Sequence, residues 1–312
     1  MSGDRKPLSS YWAPRYWPVW LGMGLLRLVC WLPHRMALAT GRAIGRFAHA
    51  TGGKRRAVVR RNIELCFPDL TAAERDAMAH RHFRALGMML VEMGLGRWAT
   101  TRHLQSITRL VGAEHVNDAL AAGQGVILLS AHFTTLEISG RVLAEAIPPF
   151  DAVFRKNRSE FMTELQRSGR EVAADTTIEK RDIKKMVRSL RGKRPVWYAP
   201  DQSYSRKGSE IIEFFGVPSM HTTATSTLAR LGNAAVVPFF PRRLPDSSYE
   251  LVLLPALDDF PSGDSAADTR RYVRLLEEHI RSCPEQYFWI HRKFKDLPDG
   301  YPDYYSDLDA LK

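Results

Sequence analysis

An α/β fold with a largely buried sheet is what this 312-residue chain predicts, and three observations carry the expectation. Short apolar runs bounded by Gly, Pro and polar residues alternate with stretches of helical spacing. The hydrophobic fraction of 45% and charged fraction of 25% are those of a globular chain with a sizeable core. Cys30, Cys66 and Cys283 are widely spaced and form no CxxC pair, which argues against a disulfide framework or zinc module and fits a reducing compartment.

The first element is the apolar run 16–33, YWPVWLGMGLLRLVCWLP, edged by Trp12, Tyr16, Trp17, Trp20 and Trp31. Aromatics at both ends of an apolar stretch suit the headgroup layers of a bilayer. The run is short for a span, which needs roughly 20 residues. Its Leu and Val residues contribute about −2 to −4 kcal/mol to insertion, and Arg27 costs about +2.5 to +3.5 if central. A marginal span and a helix lying in the interface both remain open, as does a buried helix followed by a solvated basic one. Leu32-Pro33-His34-Arg35 follows where a signal peptide would carry small residues.

Next, Thr71-Ala-Ala-Glu74 is a capping box, and a helix should follow with Phe83, Leu86, Leu90 and Met93 on its buried face. Strands are expected at 125–130 (GVILLS), 151–155, 195–200, 234–240, 249–254 and 286–290. Helices are expected at 135–147, 181–192, 222–231 and 267–282. In the second of these Ile183, Met186, Val187 and Leu190 should face inward. Neither a long linker nor an internal repeat interrupts the pattern.

Charge is distributed unevenly. The net charge is +11, yet residues 1–61 hold 12 Lys/Arg against the single acid Asp4, so the remainder is neutral overall. Lys/Arg bias of that kind orients a membrane segment with the bulk of the chain on the cytoplasmic side. Within the neutral remainder, residues 141–207 carry 16 Lys/Arg against 9 Asp/Glu. Clustered cations attract phosphates or an acidic protein. The group including Arg155, Arg167 and Arg170 is the better ligand candidate, because no apolar periodicity explains it.

Chemistry is best placed at Ser130-Ala131-His132-Phe133-Thr134-Thr135-Leu136-Glu137. Here a histidine leaves the C-terminal end of a buried strand, where open α/β sheets bind ligands. Glu137, folded back from the first helical turn, would hold the imidazole as a general base. Thr134-x-x-Glu137 is also a capping box, which gives Glu137 a purely structural alternative. A second candidate is Trp197-Tyr-Ala-Pro-Asp201-Gln202, where Asp201 would orient a hydroxyl or a cation, or simply sit in a turn. No P-loop, G-x-G-x-x-G, G-x-S-x-G or H-E-x-x-H occurs. With a neutral bulk and no DNA-reading motif, nucleic acid is not an expected partner.

Taken in order, these pieces resemble the bacterial lipid A secondary (late) acyltransferases, which transfer lauroyl, palmitoleoyl or myristoyl chains. The resemblance runs from Pro14-Arg15-Tyr16-Trp17 through Arg61-Asn62-Ile63-Glu64-Leu65-Cys66-Phe67-Pro68 to His132-x-x-x-x-Glu137 and Trp197–Gln202. It continues through Leu228-Ala229-Arg230 and Val237-Pro238-Phe239 to Pro284-Glu285-Gln286-Tyr287 and His291-Arg292-Lys293-Phe294-Lys295. It implies a glycerolipid-acyltransferase-like central mixed sheet flanked by helices, with an N-terminal anchor over 1–35 and a cytoplasmic catalytic domain over 36–312 at the inner membrane. It also implies an acyl carrier protein thioester as donor and a hydroxyl on the 3-hydroxyacyl chains of Kdo-lipid IV(A) as acceptor, with lauroyl the expected chain. Neither a metal nor an organic cofactor is implied. In family terms His132 is the general base and Glu137 its partner, while Arg170, Asp201, Arg155, Gln202 and Arg230 bind substrate. Two other expectations remain distinct: an acyltransferase for a glycerolipid or ornithine lipid, and a non-enzymatic protein that binds anionic lipid.

Overall fold

A computed structural model describes residues 5–309. Four long helices lead the chain: α1 (Trp17–Val29), α2 (His34–Thr51), α3 (Gly53–Cys66) and α4 (Ala72–Trp98), followed by the short α5 (Thr101–Ser106). The alternating region then contributes β1 (Thr108–Val111), α6 (Glu114–Ala121), β2 (Gly125–Leu129), α7 (Leu136–Leu143), β3 (Asp151–Phe154) and α8 (Glu160–Arg170). It continues with β4 (Thr176–Glu179), α9 (Ile183–Arg191), β5 (Val196–Tyr198) and the hairpin β6 (Ser209–Phe214) and β7 (Val217–Thr222). After these come α10 (Ala224–Gly232), β8 (Ala234–Arg243), β9 (Tyr249–Leu253), α11 (Ser265–Ser282) and α12 (Ser306–Asp309).

Seven strands form one mixed sheet in the order β1-β9-β8-β2-β5-β3-β4. Every neighbouring pair is parallel except β8–β9. Helices cover the sheet, so its central strands are buried on both faces and need no polar alternation. In β2, Ile127 and Leu129 point into one core while Val126 and Leu128 point into the other. In β8, Val236 and Phe240 face the first core and Val237 and Phe239 the second. That two-sided burial is the physical reason GVILLS reads as an unbroken apolar run.

The capping box at the start of α4 forms as expected, with Thr71 and Glu74 each satisfying the other's backbone N–H. The buried face expected for that helix holds only in part. Phe83 is buried, but Leu90 and Met93 are 43% and 41% exposed. Small residues explain the difference, because α4 meets α2 through a glycine seam. A Cβ on Gly87 would lie 2.0 Å from the Gly41 carbonyl oxygen, and one on Gly45 would lie 2.2 Å from that of Phe83. The helices therefore approach backbone to backbone, and large side chains turn outward.

Two further expectations are corrected, and the alternatives left open for the run 16–33 are narrowed. Ile183, at the start of α9, is exposed while Met186 and Leu190 fill the core. Residues 286–290 form no strand; a 3-10 turn over Pro284–Gln286 leads into a loop whose strand-like pairing, among the described residues, is limited to an isolated bridge between Phe133 and Tyr287. The run 16–33 gives a helix of only 13 residues, roughly 20 Å long at 1.5 Å per residue. Among the described residues no helix is long and apolar enough to cross a membrane. Helix α1 instead lies along α4, where a Cβ on Gly94 would touch Cys30 and Leu26. Arg27 stacks over Trp98 at 5.6 Å.

Candidate active site

The two central strands β2 and β5 run parallel with Leu129 opposite Tyr198. Three residues beyond each of those positions stand His132 and Asp201. Equal offsets from adjacent parallel strands bring the two side chains together at the C-terminal edge of the sheet. His132 Nδ1 lies 2.6 Å from Asp201 Oδ1. A carboxylate only accepts, so Nδ1 carries a proton, and it is Nε2 that has the lone pair in the neutral ring. Asp201 is 1% exposed, and Tyr287 donates to its second oxygen, Oδ2, at 3.1 Å. Burial alone would raise the Asp201 carboxyl, but His132 and the ammonium of Lys293 outweigh it and hold it below its ordinary value.

Glu137 takes a different partner from the one its spacing suggested. Its carboxylate is gripped by Arg170, with Nη2 at 2.7 Å and Nε at 3.1 Å from Oε1. The third guanidinium nitrogen donates to the Val153 carbonyl at 2.9 Å. Thus Glu137 in the first turn of α7 and Arg170 in the last turn of α8 are locked to each other and to β3. Nor does Glu137 take the capping alternative: Thr135 is the N-cap and makes no side-chain cap bond. Two backbone amides at the start of α7 are already used within the protein. The Thr134 N–H donates to the Gln286 carbonyl at 2.8 Å and the Leu136 N–H to that of Phe133 at 3.1 Å.

His132 opens onto a cleft of about 590 Å³ whose lining includes Arg170, Arg155 and Gln202. Its apolar walls come from Leu136, Phe154, Ile183 and Trp197, which accounts for the outward placement of Ile183. Arg230 lies elsewhere: it is exposed on α10, because Leu228 and Ala229 take the buried face of that helix. Sequence reasoning did not single out Lys180, Arg181 and Arg206, which line the same cleft. Among the described residues Arg155, Lys180, Arg181 and Arg206 form no ion pair. Burial, then the neighbouring cations, push the Lys180 ammonium below its ordinary value. Only the general positive balance of 141–207 pointed toward this rim.

A carboxyl-terminal segment closes the back of the site. Its Phe288 N–H donates to the His132 carbonyl at 3.0 Å, and Asn62 holds it by donating to the Trp289 and His291 carbonyls. Gln286 exchanges side-chain hydrogen bonds with both backbone groups of Arg243. Arg243, at the end of β8, in turn makes a buried bidentate pair with Glu92, which also accepts from Tyr249.

A buried carboxylate orienting a histidine, with a lone pair aimed into a cation-rimmed cleft, is an apparatus for activating a hydroxyl toward group transfer onto or from an anionic substrate. The comparisons with known proteins give the class a family. Residues 5–296 match the bacterial lipid A biosynthesis acyltransferase family, and the chain belongs to it. It is 36% identical to the lipid A biosynthesis lauroyltransferase of Escherichia coli (strain K12), over 94% of this chain and 96% of that one. Identity is 35% to the palmitoleoyltransferase of the same organism, over 92% and 94% of the two chains, and 26% to its myristoyltransferase, over 93% and 91%. The protein is an acyltransferase of lipid A biosynthesis.

Proposed function

We propose that this enzyme transfers a lauroyl chain from an acyl carrier protein thioester to a hydroxyl on a 3-hydroxyacyl chain of Kdo-lipid IV(A), within a glycerolipid-acyltransferase-like catalytic domain. The observation that carries the chemistry is the His132–Asp201 contact at the mouth of a cleft. Nε2 of His132 takes the proton from the acceptor hydroxyl as its oxygen attacks the thioester carbonyl. The carbon–sulfur bond then breaks, and the imidazolium returns its proton to the departing thiol. Arg170, fixed by Glu137 and Val153, is the aligned cation for the negative charge that develops on the carbonyl oxygen. The unpaired rim of Arg155, Lys180, Arg181 and Arg206 suits the acceptor's phosphates and an acidic carrier protein. Lauroyl is put forward because the relative at 36% identity bears that name. Mass spectrometry of the product of purified protein, Kdo-lipid IV(A) and a set of acyl carrier protein thioesters should show one added lauroyl group. Addition of another chain would overturn the chain length, and an unmodified acceptor would overturn the reaction.

The same reading puts the protein at the cytoplasmic face of the inner membrane, resting on it rather than crossing it. Trp17, Leu21, Leu25 and Leu28 form one exposed apolar face of α1, and the basic α2–α3 region supplies the charge for anionic headgroups. Leu21→Glu/Leu25→Glu should weaken sedimentation with phosphatidylglycerol vesicles about tenfold or more, since each buried leucine is worth roughly 1.5–3 kcal/mol. Undiminished vesicle binding would exclude α1 as the docking element.

A further inference from the structure

We propose that Lys293 is a positioning residue of the transfer reaction: its buried ammonium pins the Asp201 loop from behind and favours the unprotonated form of His132. The proposal rests on the acyltransferase reading above and adds to it a residue outside the cleft.

Lysine is almost never fully buried without a paired anion. Lys293 is 2% exposed, and among the described residues it makes no direct ion pair with a carboxylate. Its Nζ donates to the main-chain oxygen of Asp201 at 2.7 Å and sits over the Phe214 ring at 4.9 Å. Nε2 of His221 is 3.3 Å away. The carboxylate of the same Asp201 is turned to His132 and Tyr287 instead. An ammonium held in the interior by neutral partners alone is expensive. Here it stands directly behind the carboxylate that orients the base.

The other titratable groups around Lys293 do not replace it. Burial pushes His221 well down and the Cys66 thiol well up, so both are neutral at pH 7. Glu277 on α11 is the remaining anion that faces it besides Asp201. Burial lowers Lys293 itself to about 8, which leaves it mostly charged at neutral pH. His132 meets Asp201, on which the Lys293 ammonium also acts, and His291, which burial lowers to about 4. Arg170 and Lys295 share its cleft and are kept in every variant below. The sign follows directly. Removing the Lys293 charge leaves Asp201 less opposed, so the imidazolium holds its proton more tightly and the base becomes available only at higher pH.

The test uses purified full-length protein in detergent micelles, comparing wild type with Lys293→Met and Lys293→Gln. Methionine removes charge and hydrogen bond at similar volume; glutamine removes the charge and keeps a donor. In both variants the acid limb of kcat against pH should move up by about half a unit or more. At pH 7 the methionine variant should also lose about tenfold in kcat with KM nearly unchanged. A readout that needs no turnover is the carbethoxylation of His132 by diethyl pyrocarbonate against pH, followed by peptide mass spectrometry. Its midpoint should rise in both variants. Midpoints that coincide with wild type would overturn the proposal, as would loss of the folded state in both variants, which would make Lys293 a packing residue. Wild-type protein inactive toward every thioester would instead overturn the functional reading, and the His132 midpoints would still decide the role of Lys293.

Discussion

Asp201→Asn should lower the rate of acyl transfer by about 10³–10⁴-fold while the protein stays folded. An amide at the 2.6 Å contact with Nδ1 can donate as well as accept, so it no longer forces the proton onto that nitrogen. Nε2 then spends part of its time protonated and unable to serve as the base. It also loses the negative charge that stabilises the imidazolium during transfer. His132→Ala should be as severe, and the double variant little worse than either single one, because the two residues act as a unit. Initial rates with a saturating thioester donor would show it. A loss below tenfold for Asp201→Asn would mean that the base is oriented by something else.

Arg243→Met should cost about 3–5 kcal/mol of stability, because it leaves the Glu92 carboxylate buried and uncompensated. Glu92 is 1% exposed, and its partners are the Arg243 guanidinium and the Tyr249 hydroxyl. Adding Glu92→Leu to the same chain should recover most of the loss, since an apolar pair of similar volume needs no compensation. Denaturant unfolding of the wild type and the two variants would check this. A single-variant loss below about 1 kcal/mol would show that water or rearrangement rescues the carboxylate. The Gln286 contacts should survive in both variants, because they are made to the backbone of Arg243 and not to its side chain.

The sequence was legible wherever one local rule decided the outcome. Two-sided burial made β2 a pure apolar run, and Thr71 with Glu74 announced α4. It was less legible where small residues do the packing: Gly41, Gly45 and Gly87 carry the α2–α4 seam, so the large residues Leu90 and Met93 misled. The polar strands β1 (TRLV) and β4 (TTIE) and the β6–β7 hairpin left no clear periodicity. In 286–290, Tyr287 and Trp289 alternate inward as a strand would, yet they pack a loop against the site. The placement of His132 at the end of β2 and of cations around the cleft was readable from position and composition. The partner of the histidine was not, because Asp201 reaches it only through the register of β2 against β5. The bond from Glu137 to Arg170 depends likewise on where α8 ends.

The loop from Gln286 to Lys293 touches both halves of the dyad, through Phe288 on His132 and through Tyr287 and Lys293 on Asp201. Translation therefore delivers the backing of the site only after every strand of the sheet. While the ribosome is still adding α11, His132 and Asp201 already exist as residues, yet the groups that hold them in place have not been made. A nascent chain stalled before Gln286 would already hold every strand of the sheet, yet would lack the three contacts that back His132 and Asp201.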